Sequence, residues 1–146
     1  MLTGIPIGAG DLPPCIDENY NFNVVKTRFF PEIQTSDWKS NGIRCTFLKT
    51  YFDPMVLDAA EVDDILAERI ARAFFLFFLG EFLFPNAASL VGSGWLAALE
   101  DLSQVGKYDW GGSAVALMYL SLDACSRRQI KSFNGPWQVL EVIIRY

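Results

Sequence analysis

The chain contains no histidine. That single absence removes the commonest general base and the commonest metal ligand together. Cysteine is also scarce: Cys15, Cys45 and Cys125 are widely spaced and odd in number. No secretory signal precedes them, so they read as reduced, partly buried thiols of an intracellular protein. Without an imidazole, a thiol lacks its usual activating base. Zinc would require more ligands at closer spacing. Positive charge is short as well, with 12 Lys and Arg against 17 Asp and Glu and a net charge of −5. That balance argues against direct nucleic-acid binding, which relies on clustered Lys and Arg to neutralise phosphates. Proline is sparse after Pro54, only Pro85 and Pro136 following it. There is no internal repeat and no low-complexity tract.

What the chain does have is apolar mass. Hydrophobic residues make up 51% of its 146 residues and aromatics 14%, twelve of them phenylalanine. One domain of this length buries a sizeable core without metals or disulfides. Residues 1–42 hold Pro6, Pro13, Pro14 and Pro31 with several Gly and Asn residues. Proline removes backbone donors and glycine disfavours helix, so a loop-rich segment is expected there. Candidate short strands are Gly4–Ile7 and Asn23–Lys26.

Residues 43–146 read as a helical core, and the fold class is mainly α. Ile43, Phe47, Leu48 and Tyr51 have helical spacing, which predicts a helix over Ile43–Phe52. Asp58 and Glu61 have the spacing of a capping box for a helix running to about Leu79. Glu68 and Arg72 form a favourable i,i+4 pair on it. Ala73–Leu79 is apolar all round, the mark of a buried central helix. The apolar run is too short, and too interrupted by Arg72 and Glu81, for a membrane span of about 20 apolar residues. Gly80 is placed to close the helix in a left-handed conformation, and Pro85 forbids its continuation. A short amphipathic helix follows over Gly94–Leu102. Asp109 is the expected N-cap of a helix over Trp110–Arg127, with Arg127 and Arg128 suited to its C-terminal dipole. Gly135-Pro136 opens a last helix to about Arg145. The expected core joins Phe74, Phe75, Phe78 and Leu79 to Leu99, Met118, Leu122 and Leu140.

Catalytic constellations are hard to find. Gly8-Ala9-Gly10-Asp11 lacks the remaining parts of a phosphate-binding loop and reads as an ordinary loop. Asp63-Asp64 and Glu100-Asp101 are adjacent acids, and neighbours on a helix diverge by about 100°. Arg127, Arg128 and Lys131 make a small basic cluster. It would suit an acidic partner, and helix-dipole compensation explains it equally well. Lys26, Lys39, Lys49, Lys107 and Lys131 do not sit in a recognisable pyridoxal-phosphate setting. No catalytic, cofactor-binding or metal-ligating residue is assigned.

An ordered set of elements nevertheless carries a resemblance. It comprises Leu2-Thr3-Gly4-Ile5-Pro6-Ile7, Phe47-Leu48-Lys49-Thr50-Tyr51-Phe52, Arg69 through Pro85, Trp95-Leu96 with Leu99-Glu100-Asp101-Leu102, Tyr108-x-Trp110-Gly111 and Ser126-Arg127-Arg128. It resembles the plant mobile domain, also labelled aminotransferase-like, of the Maintenance of Meristems group. Phe47 stands where that family usually has Trp. The resemblance implies a non-enzymatic nuclear domain for protein interaction. It also implies roles in meristem maintenance, gene expression, genome integrity and transposon silencing, with a phosphatase-like partner. Tyr108, Trp110, Arg127 and Arg128 are its candidate partner-binding residues. The alternatives are an enzyme using an acidic cluster, and a non-functional fragment derived from a mobile element. Measured against the family, the chain reads as truncated at both ends. Truncation would uncover an apolar patch including Ile5, Ile7, Phe22, Val25, Phe29 and Phe30.

Overall fold

In the computed structural model, residues 8, 10–58, 61–131, 135, 136 and 141 are described. Helix α4, Asp64–Phe78, packs against Cys45–Lys49, the turn Thr50–Phe52 and Leu96–Leu99. Asp63 starts it by accepting a hydrogen bond from the Leu66 amide at 2.7 Å. That satisfies one of the donors left free in a first helical turn. Asp58 is therefore not the cap. It closes the short helix α3, Pro54–Leu57, whose own N-cap is Asp53 and whose first residue is a proline. Two acids with capping geometry stand close together in sequence, and the one nearer the apolar run prevails.

The N-terminal part of the chain differs most from expectation. Asn23–Lys26 is not a strand but lies inside α1, Phe22–Arg28. Asn21 caps this helix through the Val24 amide at 3.1 Å. Val25 and Phe29, four residues apart, fall on one side of the helix and are buried. Phe30 and Ile33 continue into the same core. The expected exposed patch is thus overturned for Val25, Phe29 and Phe30, and Phe22 is half-buried. Ile5 and Ile7, like the Gly4–Ile7 strand, lie outside the described residues.

Ile43–Phe52 is likewise split. Gly42–Arg44 forms strand β2 between β1, Trp38–Lys39, and β3, Leu90–Gly92, in an antiparallel sheet. Ile43 pairs with both Trp38 and Val91. Ser40 and Asn41, with φ of 50° and 55°, form the two-residue hairpin turn between β1 and β2. Two successive left-handed residues match the twist that such a turn requires. Helix α2 begins only at Cys45 and runs to Lys49, followed by a 3-10 turn over Thr50–Phe52. Helical spacing at Ile43 was overridden by its cross-strand partners.

Past Phe78 the chain widens into a π turn over Leu79–Leu83. Gly80 does not close the helix. A Cβ placed there would stand 2.9 Å from Cys45 Sγ and 2.9 Å from Val91 Cβ. Glycine lets the end of α4 lie directly against α2 and β3. Helix α5, Leu96–Leu99, and the long α6, Trp110–Ser126, complete the described helices. Arg72 joins α4 to α5, donating to the Leu99 and Glu100 carbonyls at 3.0 Å each while pairing with Glu68.

Leu79, Leu99 and Met118 are buried as expected, and Phe75 and Phe78 are half-buried. Phe74 and Leu122 are not core residues: 51% and 42% of their surfaces remain open. The apolar character of α6 thus exceeds what its neighbours cover among the described residues. Leu140 and the helix expected after Pro136 fall outside the described residues, although Pro136 itself is buried. The protein is mainly α, with one small three-stranded sheet.

Candidate functional site

Tyr108 and Trp110 stand at the start of α6 in a run of aromatic rings. Phe84 stacks on Trp95 at 4.6 Å, Trp95 meets Trp110 at 5.9 Å, and Trp110 meets Tyr108 edge-on at 5.9 Å. The Trp110 indole donates to the Val105 carbonyl at 2.9 Å. Between them, buried Asp109 caps α6 by accepting from the Gly112 amide at 2.7 Å. Its other oxygen accepts from the Gly8 amide at 2.8 Å. A side chain at position 112 would collide with that carboxylate, since a Cβ would lie 2.2 Å from Asp109 Oδ2. This part of the Tyr-x-Trp-Gly signature builds a joint between the N-terminal loop and α6.

Arg127 and Arg128 lie at the opposite end of the same 17-residue helix. At 1.5 Å per residue the two pairs are about 25 Å apart, so they do not form one site. Arg127 pairs with Asp123 one turn back, at 3.0 Å. Arg128 adopts φ 58°, and its amide bonds to the Cys125 carbonyl while that of Gln129 bonds to Ala124. Those two bonds are the Schellman closure, in which glycine is the usual residue at the left-handed position.

Two openings lie elsewhere, along the outer side of α4. Two adjoining depressions of about 310 and 510 Å³ share Leu57 and Ile70 as a common wall. The first is bounded by Glu32, Phe47, Tyr51, Val56 and Leu66. The second is bounded by Phe52, Val62, Ala67, Ala71, Phe74 and Phe75. On a helix, Leu66, Ala67, Ile70, Ala71 and Phe74 form one continuous stripe. Met55, Val56, Val62 and Phe74 are exposed around it. Tyr51 donates a short hydrogen bond to Glu32, and Arg69 approaches the same carboxylate at 3.9 Å. Burial, reinforced by the Glu32 hydrogen bond, pushes the Tyr51 hydroxyl well above the usual tyrosine range.

Acids flank the groove's lining in sequence: Asp58 follows Leu57, Glu61 precedes Val62, and Asp64 stands one turn before Ala67. Six acids fall between Asp53 and Glu68, with no Lys or Arg among them. All six, namely Asp53, Asp58, Glu61, Asp63, Asp64 and Glu68, are exposed. Only Ala73–Leu79 reads as apolar all round, and that stretch implied full burial for Phe74, which borders the groove. The legible signal was this acidic run beside a second apolar stripe.

Other reactive groups have structural duties. Burial and the Glu81 carboxylate push the Cys45 thiol up to about 12, the opposite of what a nucleophile needs. Burial and Asp17 raise the Cys15 thiol to about 11. Glu100 accepts from the Tyr20 hydroxyl at 2.8 Å and pairs with Arg28 at 3.1 Å. Asp101 caps a 3-10 turn, and its hydrogen bonds from Ser103 hold its carboxyl below the usual range. Among the described residues, no cluster of three or more potential metal ligands forms, and no helix is long and apolar enough to cross a membrane.

Over 84 residues, 57% of its length, the chain is 30% identical to an Arabidopsis thaliana protein named serine/threonine-protein phosphatase 7 long form homolog. That match covers 6% of the relative, so the chain spans a small fraction of its length. No protein-family model and no solved structure matches the chain.

Proposed function

We propose that this chain is a non-enzymatic protein-interaction domain of the plant mobile domain kind. In this reading it acts in the plant nucleus, in gene-expression control and transposon silencing, by binding a phosphatase-type protein. The observation that carries the reading is the apolar groove along α4. It leaves Val56, Val62 and Phe74 facing water, where a partner would cover them. A contiguous apolar surface of this kind typically marks an interaction site. Covering it would gain roughly 25 cal/mol for each Å² of apolar surface removed from water.

Two further observations support the assignment. The sequence elements from Phe47 to Arg128 follow the order of the plant mobile domain. The similarity to an Arabidopsis protein with phosphatase in its name points toward the same group of plant proteins. The carboxylates that an acidic-cluster enzyme would use are partly committed elsewhere: Asp63 to a cap, Glu100 to Tyr20 and Arg28, and Asp101 to Ser103.

The test is a calorimetric titration of the whole chain with a purified plant phosphatase 7-type protein. A saturable complex of fixed stoichiometry is expected. The absence of heat or co-migration would overturn the phosphatase reading.

A further inference from the structure

Resting on the interaction reading above, we infer that the α4 groove receives a helical segment of the partner protein, with aliphatic residues on one face flanked by Lys or Arg. Shape is the first argument. The depressions follow the helix axis through Leu66, Ala67, Ile70, Ala71 and Phe74. A complementary row of side chains at i, i+3, i+4 and i+7 is the natural filling for such a groove. Ala67 and Ala71 keep its floor low, which lets a second helix approach closely.

Charge is the second argument, and it selects the partner's chemistry. Six acids and no bases lie between Asp53 and Glu68. Arg69, the base beside this stretch, stands 3.9 Å from the Glu32 carboxylate, which also accepts from Tyr51. Asp58, Glu61 and Asp64 make no ion pair among the described residues. Their field favours a cationic segment and repels phosphate backbones and anionic lipid surfaces. The apolar floor provides contact area, and the flanking acids set orientation and encounter rate.

The experiment uses the full chain and two fluorescein-labelled synthetic helices. One carries Leu on one face and Lys beside it; the other has Glu in place of every Lys. Anisotropy titrations should show saturable binding of the Leu/Lys helix that weakens with added salt. The Leu/Glu helix should bind at least about tenfold more weakly. Ala67→Arg places bulk and the wrong charge in the groove from an exposed position, and should weaken Leu/Lys binding about tenfold or more. Ala67→Gln should do so by a smaller factor, and serves if the arginine variant fails to fold. Glu61→Gln with Asp64→Asn should cost a few-fold and flatten the salt dependence.

Equal binding of the two helices, or binding indifferent to Ala67→Arg and Ala67→Gln, overturns the inference. Self-association abolished by Ala67→Arg would also overturn it, by giving the groove to a second copy of the chain. A phosphatase complex that survives Ala67→Arg removes the groove from the account while leaving the interaction reading intact. Groove-dependent helix binding without a phosphatase complex supports the groove and removes that phosphatase.

Discussion

The two sides of α4 are built from the same kinds of residue and meet opposite fates. Toward α2 and α5, Ala73 and Leu76 are closed off completely. On the other side, Ala67, Ile70, Ala71 and Phe74 border open depressions, and Phe74 is half exposed. The inner side is closed by Leu48, Leu96, Leu99 and the N-terminal Phe30 and Ile33, all in one core. Among the described residues, the outer side has the short α3 and a 3-10 turn beside it. Apolar composition states that water should be excluded, but not which surface excludes it.

The largest expected difference between the sides is energetic. Leu76→Ala should destabilise by about 2–5 kcal/mol, the usual cost of a cavity at a sealed aliphatic site. Urea denaturation would measure it, and a loss within error would mean that the inner side is not the core. Gly80→Ala comes next. Its new methyl meets Cys45 and Val91 at sub-van der Waals distance, which should cost ~1–3 kcal/mol by overpacking. A stabilised Gly80→Ala protein would show that this junction has room to spare. Phe74→Ala, on the outer side, should cost only about 1 kcal/mol, mainly its edge contacts with Phe52 and Phe75. A loss as large as that of Leu76→Ala would erase the distinction between the two sides.

A smaller effect comes from pH, because each side holds a tyrosine–carboxylate pair. Burial, then the Glu100 hydrogen bond, raises Tyr20 on the inner side from 10.0 to about 12. Burial, then the Glu32 hydrogen bond, raises Tyr51 at the groove in the same direction. Cys45, raised from 9.0, adds to the effect. The unfolded chain loses these protons first as pH rises, so stability is full below pH 9.0 and declines toward pH 12. Denaturation midpoints across that range should fall monotonically. A rise with pH would refute the raised pKa values.

Much of the architecture was legible before any coordinates. The long helical periods of α4 and α6, the Asp109 cap and the Glu68–Arg72 pair all follow from local chemistry, and local chemistry is what a sequence displays. Helix α1 was missed because proline, glycine and asparagine crowd around it, although Asn21 before Phe22, Val25 and Phe29 carried a readable cap and stripe. Ile43 was misassigned for a different reason. Its strand exists because Trp38 pairs with it across a two-residue turn and Val91 arrives on its other side from a distant part of the chain. Gly80 was read as a helix terminator, yet its role is set by contact with Cys45 and Val91. The groove was concealed most thoroughly. A stretch apolar on every side, such as Ala73–Leu79, implies full burial, and only tertiary packing reveals that Phe74 lacks a cover.

The most direct test of the account is to compare binding and stability in one outer-side variant. A phosphatase 7-type protein would be titrated into the chain and into its Ala67→Arg form, and a urea curve recorded for each. The account predicts that complex formation is lost while the unfolding free energy stays within about 0.5 kcal/mol of the parent, as for a surface substitution. A complex of undiminished affinity in the variant would contradict it.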